Sequence, residues 1–190
     1  QIENAMQLRD AIDNHPLLRK YMVCLRTSDL IPAEFRPSAI AQPLRSGLRN
    51  MMAAWDKDEF VLDPSRITLS IGRTGYDGDT FKRDQLMDRH GVQINKTSRN
   101  TVLFMTNIGT TRSSVAFLVE VLVKIARELD ERISEMGLGE RGRFEQRVHR
   151  LTTASAPLPD FSGFHPAFRD HTSVEATPEG LRMSAAGARA

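Results

Sequence analysis

A chain of 190 residues with 40% hydrophobic and 26% charged side chains has ordinary globular composition, and it is long enough to bury a core without staples. Twenty-six Lys and Arg against 24 Asp and Glu leave a net charge of +2, too small to argue for nucleic acid or a membrane surface. Cys24 is the sole cysteine, which excludes an intrachain disulfide and a four-cysteine zinc site and leads us to expect a reducing, cytoplasmic setting; no apolar run approaches the ~20 residues of a membrane span.

The opening stretch, QIENAMQLRDAID, already has helical spacing (Ile2, Ala5, Met6, Leu8, Ile12) with no cap before it. It reads as a chain entered in mid-helix, and so as a fragment. One or two helices are expected over residues 2 to 25, with Pro16 marking a break. Cys24 then falls on an apolar helix face as a small core residue. From Thr27 to Pro43 three prolines interrupt any period, so this is a connector, held in place by Leu30, Ile31, Phe35 and Ile40. SGLRNMMAAW supports one or two helical turns.

A compact unit follows. DPSRITLSIG predicts a strand at about 66 to 71, and TGYDGDT a turn with Asp79 or Thr80 as helix N-cap. The same turn superficially suits a calcium loop but lacks the later ligands and the closing Glu. FKRDQLMDRHG predicts a helix stopped by Gly91, with His90 in its last turn, where a cation favours the helix dipole. VQIN and TVLFMT predict two short strands joined by a turn over Lys96 to Asn100. Thr110 or Thr111 then caps a long helix to about Glu135, with a stripe at Val115, Leu118, Leu122, Ile125, Leu129 and Ile133. The order β-α-β-β-α predicts an open α/β sandwich with its helices on one sheet face. GLGERGR behind it reads as a polar hinge, LTTASAPLPDFSGFHPAF as irregular, and LRMSAAGARA as a low-complexity end.

The polar tip at Lys96 to Asn100 raises the functional question. It is either a solvated turn or aimed at something polar or anionic. Asn95 opens the turn, and TNIGTTRSS leads from the next strand into a helix N-terminus, a place that can bind anions. A nucleophile elbow, a P-loop and a dinucleotide fingerprint are not in the sequence, and the five histidines never fall at metal-ligand spacing.

Three stretches together, LDPSRITLSIGRTGYDGDT, DRHGVQINKTSRNTVLFMTNIGTTRSSVAFLVEVLVKI and LPDFSGFHPAF, resemble the carboxy-terminal part of the pyridoxal-phosphate-dependent ornithine/lysine/arginine decarboxylases. That family places a strand after Asp-Pro, then a helix, an HGI-V-KT segment, a strand ending in Ile-Gly and a long helix. The resemblance is good over about 60 to 135 and weaker on either side. It implies the fold of aspartate aminotransferase, with the βαββα unit as its small domain. The implied organisation is residues 1–60 as the end of the large cofactor domain and connector, 61–136 as the small domain, and 137–190 as the start of a truncated carboxy-terminal domain. It further implies decarboxylation of a basic amino acid, and a homodimer or larger homo-oligomer with neither nucleic acid nor membrane as partner.

The five lysines (Lys20, Lys57, Lys82, Lys96, Lys124) include none after a histidine, the family's Schiff-base context. The resemblance therefore puts pyridoxal phosphate on an upstream domain and leaves no catalytic residue here. By the same resemblance Asn95, Lys96 and Thr97 lie nearest the substrate. Asn95 stands where lysine-type relatives have a Glu, which removes a countercharge for a distal ammonium. The alternative is a free-standing βαββα regulatory or RNA-binding module. Against RNA, the middle strands carry one aromatic, Phe104, where base-stacking sheets carry two or three. An inactive partner subunit is a third option.

Overall fold

The computed structural model describes residues 1–39, 48–153, 174–177 and 180–183, with the backbone alone for 48–51 and for the last two stretches. The chain divides into two compact units, Gln1–Thr153 and Ala154–Ala190. The first is a mixed α/β unit around a four-stranded antiparallel sheet. No helix among the described residues is long and apolar enough to cross a membrane.

The expected helical stretch over 2 to 25 resolves into α1 (Ile2–Asn14), α2 (Leu18–Tyr21) and a two-residue strand, β1 (Val23–Cys24). Pro16 does break the helix. Cys24 is buried, but as a strand residue opposite Leu69 rather than on a helix. The edge pairing decides this: the Leu25 N–H continues the ladder onto the Thr68 carbonyl at 2.9 Å. In the connector, α3 (Thr27–Leu30) starts where the Asp29 carboxylate accepts the Arg26 N–H at 2.8 Å. Phe35 meets Phe60 edge-on at 5.3 Å. Ile40 and Pro43 lie outside the described residues. Next comes α4 (Leu48–Lys57), longer than the one or two turns expected.

The central strands are β2 (Arg66–Ser70) and β4 (Thr101–Met105), paired in the register Ile67↔Phe104 and Leu69↔Val102. Those four side chains are buried, whereas their neighbours Arg66 and Met105 are exposed and Thr68, Ser70 and Leu103 half-buried. This alternation is that of a sheet packed on one face. Between the strands, α5 (Gly78–Thr80) runs into a wide π-helical segment, Phe81–Met87, and ends in α6 (Asp88–His90). Its cap is Asp77, not the expected Asp79 or Thr80: the Asp77 backbone is extended, and its carboxylate accepts the Thr80 N–H at 2.9 Å and hydroxyl at 2.8 Å. Gly91 ends the segment with φ +64°, in the left-handed region glycine favours.

The long helix α7 (Arg112–Glu135) is capped by Thr111, whose hydroxyl accepts the Ser114 N–H at 3.1 Å. Val115, Leu122, Ile125 and Leu129 are buried along it, and α1 packs against it. Arg9 of α1 enters the core and is 5% exposed, donating to the main-chain oxygens of Leu25 and Arg66. It ties the ends of β1 and β2 together, and its burial holds the guanidinium below its ordinary pKa.

The expected polar hinge is instead the first turn of α8 (Leu138–Thr152), with Gly137 as N-cap. This helix seats Phe144 on Gly75 and Leu151 on Gly72, where an added Cβ would come within 2.7 and 2.9 Å of its neighbour. Tertiary contact thus outweighs the poor helix propensity of Gly139 and Gly142. In the second unit, β5 (Val174–Thr177) pairs antiparallel with β6 (Gly180–Met183), so the expected low-complexity end opens with a strand.

Several carboxylates sit below the usual range: Asp63 through the Ser65 hydroxyl, Asp77 through the Thr80 N–H, and Asp130 through the Lys20 ammonium. Each has a lowered folded pKa, so its contribution is full above the unfolded value of about 3.9 and is lost as pH falls further. His90 is also lowered, first by burial, so its contribution is full above about 6.5 and fades below. Urea midpoints measured down a pH series should therefore fall in two stages, the upper one abolished in His90→Gln. A midpoint flat from neutrality to about pH 3 would refute this.

Candidate functional site

The segment Gly91–Asn95 leaves the helix end and runs beside the last residues of β4. The Val92 N–H is taken by the Leu86 carbonyl, and among these residues only Asn95 donates toward the sheet, to Leu103 at 3.1 Å. Pairing begins at β3 (Lys96–Thr97), so VQIN is not the expected strand. Because it diverges from the sheet, it opens a cleft of about 540 Å³ between itself, the end of β4 and the start of α7.

Val92, Ile94, Phe104 and Phe117 give the cleft apolar walls; Gln93, Asn95, Thr106, Thr110 and Ser114 supply its polar groups. The hydroxyls are already engaged. Thr106 donates to the Gln1 and Ser65 carbonyls, Thr110 accepts the Asn107 N–H at 2.9 Å, and Ser114 pairs with Thr111 at 2.9 Å. Gln1 and Asn4 fasten α1 to the Thr106 and Thr110 carbonyls. The side-chain amides of Gln93 and Asn95 take no such part. Both are exposed, and neither has a hydrogen-bond partner among the described residues. Lying two apart on an extended run, they leave by the exposed side, opposite to Val92 and the buried Ile94.

The three expected site residues separate here. Asn95 lines the cleft. Lys96 is exposed, paired opposite Leu103 on the more open sheet face. Thr97, one step on, turns to the helix-covered face and donates its hydroxyl to Asp79. It positions the strand and does not reach the cleft. Gln93 was missed, although the alternation Val92, Gln93, Ile94, Asn95 carried the signal.

The tip is an exposed turn, as the first of the two readings has it, but not over Lys96 to Asn100. Lys96 and Thr97 belong to β3, and the turn is Ser98–Thr101, its Ser98 N–H donating to the Thr101 carbonyl at 2.9 Å. Its charge has a partner inside the protein. The Arg99 guanidinium donates to the Arg150 and Thr153 carbonyls, and the Asn100 amide to the Leu151 carbonyl at 2.8 Å. The turn therefore caps the C-terminus of α8, where a cation suits the helix dipole. Arg99→Ala should cost about 1–2 kcal/mol and speed amide exchange in the last turn of α8, with Arg99→Lys recovering only part. Unchanged exchange in that turn would show the cap to be idle.

The second expected feature, an anion site at the helix N-terminus, is also accounted for internally. Thr111 caps α7, and Arg112 at its start pairs with Glu3 at 3.0 Å. Among the described residues no three His, Cys, Asp or Glu gather as a metal site. No known protein family, curated protein or solved structure matches this chain.

Proposed function

We propose that this chain supplies the small, substrate-closing domain of a pyridoxal-phosphate-dependent amino-acid decarboxylase of the ornithine/lysine/arginine class. The ordered motifs from Leu62 to Ile125 support the reading, as does the β-α-β-β-α order from β2 to α7. In this reading the unit has the aminotransferase-type fold and works within a homo-oligomer. The observation that carries it is the cleft with Asn95 on its wall, at the position the family uses toward its substrate.

The cofactor needs a lysine for its imine and a cationic or N–H cradle for its phosphate. The cleft is lined by no lysine and no arginine, and Lys20 is paired with Asp130. The cleft therefore does not fit pyridoxal phosphate, and the reading assigns the cofactor to another domain of the enzyme. This chain contributes the wall that meets the far end of the substrate: Asn95 offers hydrogen bonds there, and Val92 and Phe117 offer apolar contact.

The test is a substrate panel on the complete enzyme. Asn95→Glu adds a countercharge and should raise kcat/KM for lysine or ornithine over uncharged analogues by about 1–3 kcal/mol. Carbon dioxide release from none of the basic amino acids would reject the decarboxylase; equal profiles for wild type and Asn95→Glu would take the cleft out of the active site.

A further inference from the structure

We infer that the open edge of β4 inside the cleft receives an extended, uncharged peptide segment, which adds to the sheet beyond β3. This goes beyond the reading above, which uses the Asn95 side chain, and rests instead on the main chain. The β4 backbone alternates its partners. Asn100 and Thr106 turn toward β2 and bond Ile71 and Ser65, whereas the Thr101 and Leu103 carbonyls turn the other way and accept the Ser98 and Asn95 N–H groups. Met105 is next on that outer side. Its N–H and carbonyl point to where Gly91–Ile94 has left the sheet, and they have no partner among the described residues. On the facing wall, the N–H groups of Gln93 and Ile94 are unpaired among those residues too. An open edge of this kind is a template for another strand, and neither a charged residue nor a proline lines this one. The space between the walls decides the form of the occupant. Two turns of α-helix, about 10 Å across and about 11 Å long, need more than the 540 Å³ of the cleft, so a lone extended segment fits where a helix does not. Val92, Phe104 and Phe117 give its side chains apolar contact, and a charged side chain would meet no countercharge.

The experiment titrates the full 190-residue chain with acetyl-Val-Thr-Val-Thr-amide, followed by ¹H–¹⁵N chemical shifts and amide exchange. In the free protein the Met105 amide should exchange fast between two slow neighbours, Phe104 and Thr106, which bond to β2. At saturation the peptide should move the amides of Gly91–Asn95 and Met105 and slow exchange at Met105 at least about tenfold. The same peptide N-methylated throughout keeps its side chains but not its donors, and should bind at least about tenfold more weakly. Acetyl-Lys-Thr-Lys-Thr-amide should bind more weakly as well. Met105→Pro removes the edge N–H, which lies outside the β2 ladder, so the urea midpoint should hold while peptide binding falls. If that variant does not fold, the N-methylated pair decides. A Met105 amide already protected in the free protein overturns the inference. So does equal binding of the methylated or the lysine peptide, or no saturable binding of the parent peptide. None of these readouts involves turnover. Peptide binding beside a complete enzyme that releases no carbon dioxide would keep the strand site and reject the decarboxylase. Turnover without peptide binding would do the reverse.

Discussion

Replacing Gly78 with alanine should destabilise the first unit by about 3 kcal/mol or more, although alanine is the better helix former by about 1 kcal/mol. The two effects oppose each other, and distance decides between them. A Cβ at residue 78 would stand 2.0 Å from the Ser98 carbonyl oxygen and 2.9 Å from that of Thr101. Both obstacles are backbone, so no rotamer change relieves them; either the hairpin or the start of α5 must withdraw. Withdrawal also breaks the hydrogen bond from the Gly78 N–H to the Arg99 carbonyl, 3.2 Å. Gly91→Ala is the control. Gly91 has a positive φ but open space around its Cβ, so it should lose only about 1 kcal/mol, from conformation alone. Urea denaturation of the two variants beside wild type separates the cases. A Gly78→Ala protein as stable as wild type would mean that the hairpin does not rest on the helix start.

Phe81→Ala should cost about 3–5 kcal/mol, the upper part of the range for a single side chain. Phe81 is fully buried at the start of the π-helical segment, with the Tyr76 ring tilted against it at 6.4 Å. Few neighbours can close over the void, since the sheet lies on one side and the wide helical turn is anchored by the Asp77 cap. Phe81→Leu, which keeps most of the volume, should cost less than half as much. Equal losses for the two would indicate that ring shape outweighs volume at this position.

What was legible in the sequence follows from how local each cause is. The α7 stripe, the alternation Ile67, Leu69, Val102, Phe104 and the Gly91 stop are written in neighbouring residues, and the structure has each of them. The strand β1 was not legible, because two residues carry no period and only pairing with Leu69 and Ser70 makes them a strand. Helix α8 was misread for a related reason. Gly139 and Gly142 argue against a helix locally, and the opposing contacts of Phe144 and Leu151 lie some 70 residues away, at Gly75 and Gly72. Asp77 was passed over as cap because Asp79 and Thr80 are also good capping residues, and only the backbone angle at residue 77 separates them. At the site, the position of Asn95 came from the resemblance, while Gln93 could have come from alternation alone. Lys96 and Thr97 were grouped with Asn95 by adjacency; the pleat sends Lys96 to the opposite face, and Thr97 is held away from the cleft by its hydrogen bond to Asp79.

The capping of α8 by Arg99 joins groups 51 residues apart in the chain. During synthesis the hairpin and the Gly72–Gly75 turn emerge first, so the seat for this helix exists before the helix does. Helix α8, with two glycines in its opening turns, has little tendency to persist alone, and it becomes a helix by being received. The receiving groups are the main-chain floor at Gly72 and Gly75 and one guanidinium, all set by the sheet. A lesion in the β3–β4 hairpin would therefore surface as a late-folding defect at the other end of the unit, with the damaged strands themselves already in place.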